Sequence, residues 1–329
     1  MENIRLISGR SNIELANNVA SYLGLSLTPV EIKDFNNGEI YVQILDNVRG
    51  KDIYVIQTGV KDDQHSLNDY IMELEIIADS CRLSSAKSVT AIIPNFPYAR
   101  ADKKDMPRTS ITGSLIARKL KNVGIDRIVS MDLHSGQIQG FIDIPFDNLY
   151  AMKLIIPFIN QNVFLSNEDK QNYVLVSPDA GGIKRILSYA KHLEMPHIIM
   201  HKQRDYTKIS VVQNTMVIGD KTVLKGKTAI LIDDIIDTMG TMLATSHELM
   251  EAGAKDIIII ATHGIFSGQA IERINNAEHI KAVIVTNSIS QSANMEKCSK
   301  IKTIDTADLF AKVICRIVTG DSISELFII

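Results

Sequence analysis

The sequence predicts an α/β protein of two related domains, each a mainly parallel sheet flanked by helices, on three observations. A chain of 329 residues is long for one hydrophobic core and suits two domains of ordinary size. Short β-branched runs recur along the whole length, and many lack strict apolar–polar alternation, as strands buried on both faces of a parallel sheet do. A turn-then-strand pattern also occurs once in each half, with "VRGKDIYVIQTG" near residue 50 echoed by "LKGKTAILIDDI" near residue 230.

Taken in order, the predicted strands of the first half are "IRLIS" at 4–8, "DIYVIQT" at 52–58, "SVTAIIP" at 88–94 and "RIVSMDL" at 127–133. Those of the second half are "YVLVSPD" at 173–179, "HIIMHK" at 197–202, "TAILIDD" at 228–234, "DIIIIATHG" at 256–264 and "AVIVTNS" at 282–288. Helical spacing of apolar residues runs from Leu67 through "SLNDYIMELEIIADSCRLS", and "TMLATSHELMEAGA" ends at Gly253, a suitable C-terminal cap. Strand–helix alternation of this kind argues for covered sheets. The polar stretch 160–172 is the best candidate for a boundary segment, and residues 202–227 read as a hairpin or a mobile loop.

Lys plus Arg total 35 against 38 for Asp plus Glu, so no global basic charge points to nucleic acid. Cys81, Cys298 and Cys315 are far apart and form no C-x-x-C pair, which argues against a disulfide framework or structural zinc and for a reducing compartment. The start "MENIRLISGR" lacks the apolar core of a signal peptide, and no apolar stretch approaches bilayer-spanning length. A cytoplasmic protein with no membrane partner is expected.

Ligands of open α/β sheets gather at the carboxyl ends of strands. The most informative end is "LIDDIIDTMGTM" at 231–242, where an apolar strand delivers Asp233 and Asp234, then Asp237-Thr238-Met239-Gly240-Thr241, then a helix. Backbone N–H groups and two threonine hydroxyls at a helix start make a phosphate cradle, while carboxylates accept from vicinal sugar hydroxyls. Helix capping alone would explain Asp237 or Thr238 but not the whole set. In "VSPDAGGIKR", Asp179 is a candidate for a metal or a ribose hydroxyl, although a plain turn also uses Asp and Gly. In "MDLHSGQIQGFIDIPFDNLYA", Asp132 and His134 leave a strand end with Asp143 and Asp147 following; such a His serves a metal, a phosphate or a local hydrogen bond.

"PNFPYARADKKDMPRTS" sets Phe96 and Tyr98 just before Arg100, suggesting base stacking and polyphosphate binding, although a charge run is usually a solvated face. In "HKQRDYTK", Lys202 and Arg204 lie two positions apart and share a face if extended, suiting charge that develops on a transferring phosphoryl group. An exposed basic loop is the equal alternative there.

With these residues assembled, the sequence closely resembles the ribose-phosphate diphosphokinases, also called phosphoribosyl pyrophosphate synthetases. "FNNGE", "VRGKDIYVIQTG", "NFPYARADKKD", "DLHSGQIQGFIDIPFDNLYA", "SPDAGG", "HKQR" and "DDIIDTMGT" fall in the family's order over nearly the whole chain. The resemblance implies two phosphoribosyltransferase-type domains, 1–150 and 151–305, with a segment 306–329 returning to the first. It implies diphosphoryl transfer from ATP to the 1-hydroxyl of ribose 5-phosphate, aided by magnesium. It assigns Lys202 and Arg204 to transition-state stabilisation, and Phe35, Asn37, Glu39, Arg100, Ala101 and His134 to the surroundings of ATP. Phe35 and Glu39 would reach across from a neighbouring subunit. Asp233, Asp234, Asp237, Thr238, Met239, Gly240 and Thr241 would hold ribose 5-phosphate, and His134, Asp179 and Asp132 the metal. A homo-oligomer, commonly a hexamer, and control by phosphate and ADP also come with the resemblance, with Arg49, Arg82, Ser322 and Ser324 at the regulatory positions.

Four positions depart from the family's usual pattern. Asn37 stands where Asp is frequent, Ala101 where Gln is, and Asn47 where regulatory sites often carry Ser. Met239 replaces a smaller residue in the phosphate loop, where an outward-pointing side chain is expected to be tolerated. A phosphoribosyltransferase would share the acidic loop but not need residues 35–39, Arg100 and His134. A catalytically silent regulatory homologue would keep the fold, and Lys202 with Arg204 speaks against it.

Overall fold

The computed structural model describes residues 3–164, 166–204, 212–218 and 221–326. They divide into two compact units. One holds the residues up to Ala151, Ser288–Ser290 and the segment from Asp305 onward; the other holds Met152–Asn287 and Gln291–Ile304.

In the first unit β1 (Ile4–Ser8) leads into α1 (Ile13–Leu23), which Asn12 starts by accepting the Leu15 N–H. An antiparallel pair, β2 (Val30–Asp34) and β3 (Ile40–Ile44), follows. Then come β4 (Asp52–Ile56), α2 (Leu67–Leu83), β5 (Ser88–Ile93), α3 (Thr112–Asn122), β6 (Arg127–Met131) and β7 (Phe146–Leu149). Ser66 and Asp69 form a reciprocal capping box at the start of α2. The sheet order is β1-β4-β5-β6-β7, and every adjacent pair is parallel. Ile7, Ile53, Val55, Val89, Ala91 and Ile128 meet Leu74, Ile77 and Ala78 of α2 in its core.

The second unit opens with α4 (Met152–Asn162) and continues through β8 (Tyr173–Ser177), α5 (Ile183–Leu193), β9 (His197–Arg204) and β10 (Val212–Ile218). β11 (Thr228–Ile236), α6 (Gly240–Glu251), β12 (Asp256–Gly264), α7 (Ala270–Asn276), β13 (Ile280–Thr286), α8 (Ser292–Lys297) and β14 (Ile301–Ile304) complete it. Its order is β10-β9-β8-β11-β12-β13-β14, all parallel except the β9–β10 pair. The expectation of mainly parallel sheets flanked by helices is met in both units, and the two echoed stretches run into β4 and β11. Strand order differs between the units. Strands β8 to β10 step outward to one side, then the chain returns and β11 to β14 step outward to the other, so direction reverses between β8 and β11.

The polar stretch 160–172 lies inside the second unit, where residues 168–172 form a 3-10 turn ahead of β8. In the 202–227 region the chain takes the hairpin alternative, with Lys202 opposite Thr215 and Arg204 opposite Val212. Residues 205–211 lie outside the described residues, and the expectation of mobility falls on them. The last helix, α9 (Ala307–Thr319), belongs to the first unit and packs on α1, burying Leu309, Phe310, Val313 and Ile314. Among the described residues, no helix is long and apolar enough to cross a membrane.

Candidate active site

A reversal of strand order opens a crevice at the carboxyl ends of the two strands beside it, because their following segments depart to opposite sides. In the second unit those strands are β8 and β11, paired in register from Tyr173 with Thr228 to Val176 with Leu231. β8 ends at Ser177 and is followed by Asp179, whose Oδ1 accepts the N–H groups of Gly181 (2.9 Å) and Gly182 (3.2 Å). A Cβ on Gly182 would lie 2.5 Å from Ser177 Oγ, so this turn needs glycine for close approach. Asp179 therefore caps the turn.

β11 delivers the acidic pair. Asp234 is buried and Asp233 partly so. Arg185, in the first turn of α5, joins both: Nη1 lies 2.8 Å from Asp233 Oδ1 and Nη2 lies 3.1 Å from Asp234 Oδ1. Burial first, and then the Asp234 charge, push the Asp233 carboxyl well above its ordinary range, and Arg185 offsets part of that rise.

The loop after the pair turns its carbonyls toward its support. Ser267 N–H donates to Asp237 O (3.1 Å), and Arg273 Nη1 donates to Thr238 O (2.7 Å). Thr238, Gly240 and Thr241 are exposed, and Asp237 is half-buried. The residue at the N-cap of α6 is Met239, whose own side chain gives no capping hydrogen bond. A twelve-residue helix that receives no cap from its own N-cap side chain and starts beside exposed hydroxyls offers donors that suit an anion. Met239 corrects one expectation. It is 2 % exposed, belongs to the core with Met242 and Phe266, and holds a left-handed φ of 65°. The loop turns its backbone outward by driving this side chain inward.

In the first unit, Arg100 and Ala101 follow β5, while Asp132 and His134 follow the adjacent β6. Arg100 and His134 are exposed. Asp132 has φ 39°, and its Oδ2 accepts the Ala151 N–H at 3.2 Å. Asp143 and Asp147 do not join them, because ion pairs tie them to Lys121 and Arg127. Phe96 also departs from its expected stacking role: it is buried, its ring 5.3 Å from that of Phe146. Tyr98 donates its hydroxyl to Asn68. Phe35, by contrast, is exposed, on the β2–β3 tip with Asn37 and Glu39, and Asn37 Oδ1 accepts the Glu39 N–H there.

Arg49 is exposed on the turn before β4, and the neighbouring Gly50 N–H donates to Ser85 O at the end of α2 that carries Arg82. Arg82 itself donates to Gly124 O (2.7 Å) and pairs with Asp126. Ser322 and Ser324 follow α9, where the Ser324 N–H donates to Ser322 Oγ. Lys202 and Arg204 sit on β9 by their backbones, and their side chains lie outside the described residues.

Among the described residues no three His, Cys, Asp or Glu side chains gather as a metal cage. Magnesium needs no such cage, because it keeps water and takes much of its coordination from substrate phosphates. Sequence reasoning missed Arg185 and Arg273. The first stands in the quoted "VSPDAGGIKR" stretch, yet its pairing across β8 and β11 emerges from the folded register.

A family model described as the N-terminal domain of ribose phosphate pyrophosphokinase matches residues 4–124. Another, described as the phosphoribosyl synthetase-associated domain, matches residues 211–328. A solved structure of phosphoribosylpyrophosphate synthetase from Mycobacterium smegmatis is 39 % identical, covers 97 % of this chain and 99 % of that one, and has a TM-score of 0.87. Adenine phosphoribosyltransferases from Leishmania tarentolae and Leishmania donovani are 18 % and 20 % identical, with TM-scores of 0.31 and 0.30. They cover 43 % and 45 % of this chain and 73 % and 68 % of their own, and add nothing to the site. Identity of that level along nearly the whole chain, with both family models in place, leads to one conclusion: the chain belongs to the ribose phosphate pyrophosphokinase family.

Proposed function

We propose that the chain is a ribose-phosphate diphosphokinase, converting ATP and ribose 5-phosphate into 5-phosphoribosyl 1-diphosphate and AMP. The observation that carries this reading is the aspartate pair bridged by Arg185 beside the exposed start of α6 at the strand-order reversal. Asp233 and Asp234 accept from the ribose hydroxyls. Asp237, Thr238, Gly240, Thr241 and the Met239 backbone receive the 5-phosphate. Family membership supplies the donor: Phe35, Asn37, Glu39, Arg100, Ala101 and His134 surround ATP, with Phe35 and Glu39 offered to a neighbouring subunit.

The ribose 1-hydroxyl attacks the β-phosphorus, loses its proton, and AMP departs with the bridging oxygen. Lys202 and Arg204 stabilise the charge that spreads over the transferring group. Asp179, His134 and Asp132 are the residues that would hold magnesium, whose chemistry is to screen the triphosphate. The reading includes a cytoplasmic homo-oligomer, commonly a hexamer in this family, controlled by phosphate and ADP through Arg49, Arg82, Ser322 and Ser324.

The test is AMP release from ATP, magnesium and ribose 5-phosphate. Folded protein that releases none above background sinks the proposal.

A further inference from the structure

The β2–β3 hairpin pairs with no strand of the main sheet among the described residues. A two-stranded ribbon is marginal by itself, so its position depends on what anchors it. Val30, Ile32, Val42 and Ile44 pack its inner face on the core of the first unit. Residues 34–39 lie beyond that apolar footing and are exposed, with Phe35 at 53 % and edge-on to Tyr41.

Asp34, immediately before Phe35, is gripped from two other segments. Arg10 reaches it with a fork, Nη1 to Oδ2 at 2.6 Å and Nη2 to Oδ1 at 2.8 Å. The same guanidinium donates through Nε to Glu73 Oε2 at 2.6 Å, and the Arg10 N–H donates to Glu73 Oε1 at 2.7 Å. Glu73 is fully buried on α2 and also accepts from Gln57 Nε2. Arg10 is thus a strap from a fixed carboxylate to the hairpin. His65, on the segment before α2, adds Nε2 to Asp34 Oδ2 at 3.0 Å. Its ring lies 5.4 Å from Tyr70, whose hydroxyl donates to Asp62. Arg10 first, then His65, hold the Asp34 carboxyl well below the usual carboxylate range, so it stays charged. An isolated exposed ion pair contributes little, but a bidentate fork shared with a buried carboxylate sets geometry as well as energy.

We propose that Arg10 and His65 are positioning residues for the nucleotide, latching Asp34 and thereby setting the hairpin tip that carries Phe35, Asn37 and Glu39. The latch rests on the diphosphokinase reading for what the tip meets, and on the hydrogen bonds above for its mechanics.

Asp34→Ala tests it without disturbing buried Glu73. The expected result is a KM for ATP raised about fivefold or more, with the KM for ribose 5-phosphate within about twofold. His65→Ala raises the ATP value in the same way, and His65→Gln, which keeps a donor, restores it. An unchanged ATP KM overturns the latch; so does a matched rise for both substrates with a lowered melting temperature, which marks a structural role. A second readout is independent of turnover. The chain has no tryptophan, so Phe35→Trp places a sole reporter at the tip. Adding Asp34→Ala is expected to lower its anisotropy, and an unaltered value overturns the latch. If the native chain releases no AMP, the diphosphokinase reading falls on that result while anisotropy still decides the latch.

Discussion

Two aspartates beside a loop proposed to receive an anion would repel it unless something offset their charge, and Arg185 sets one guanidinium nitrogen on each. In Arg185→Met the Asp233 carboxyl rises further, because burial and Asp234 then act without that cation. A smaller ionised fraction remains at any given pH. The acid limb of kcat/KM for ribose 5-phosphate therefore moves to higher pH, and the value at neutral pH falls by about tenfold. Met239 makes a separate prediction. Met239→Ala removes buried volume at a cost of about 2–4 kcal/mol in chemical denaturation. Met239→Gly loses the same packing but relieves the left-handed backbone, and recovers about 1 kcal/mol relative to the alanine variant. The acidic pair was legible in the sequence from composition at a strand end. Arg185 was not, because its ion pairs run from α5 to β11, segments nearly fifty residues apart. Met239 misled because a loop sequence carries no sign of which side its core lies on.

Elements were legible in proportion to their burial. The β-branched runs of β4, β5, β8, β11 and β12 announced themselves. The strands β2, β3, β7 and β14 did not, being short, partly exposed or at sheet edges, where polar residues replace the apolar run. β10 was covered by the hairpin alternative for residues 202–227. Lys202 and Arg204 fall on the part of β9 whose backbone pairs antiparallel with β10, beyond the residues that pair with β8. Lys202→Ala is expected to lower kcat far more than it raises either KM, measured by steady-state turnover. A comparable loss in both parameters makes it a binding residue instead.

At the scale of the molecule, α9 closes the first unit although it comes last in sequence. Phe310→Ala is expected to destabilise that unit by about 3–5 kcal/mol. Amide exchange in α1, its packing partner, should accelerate while exchange in α6 stays as it was. The α/β class followed from strand–helix alternation, whereas strand order depends on which distant segments pair, and no local pattern records that. The reversal at β8 and β11 has a consequence for synthesis. A ribosome finishes β8, β9 and β10 before β11 exists, so Val174, Leu175 and Val176 wait along an open edge until residues 228–231 arrive. The same zipper that hides this sticky seam brings Arg185 onto Asp233 and Asp234, the centre of the proposed sugar-phosphate site. A chain that binds ligand at this proposed site has, by that act, shown that β11 has docked on β8.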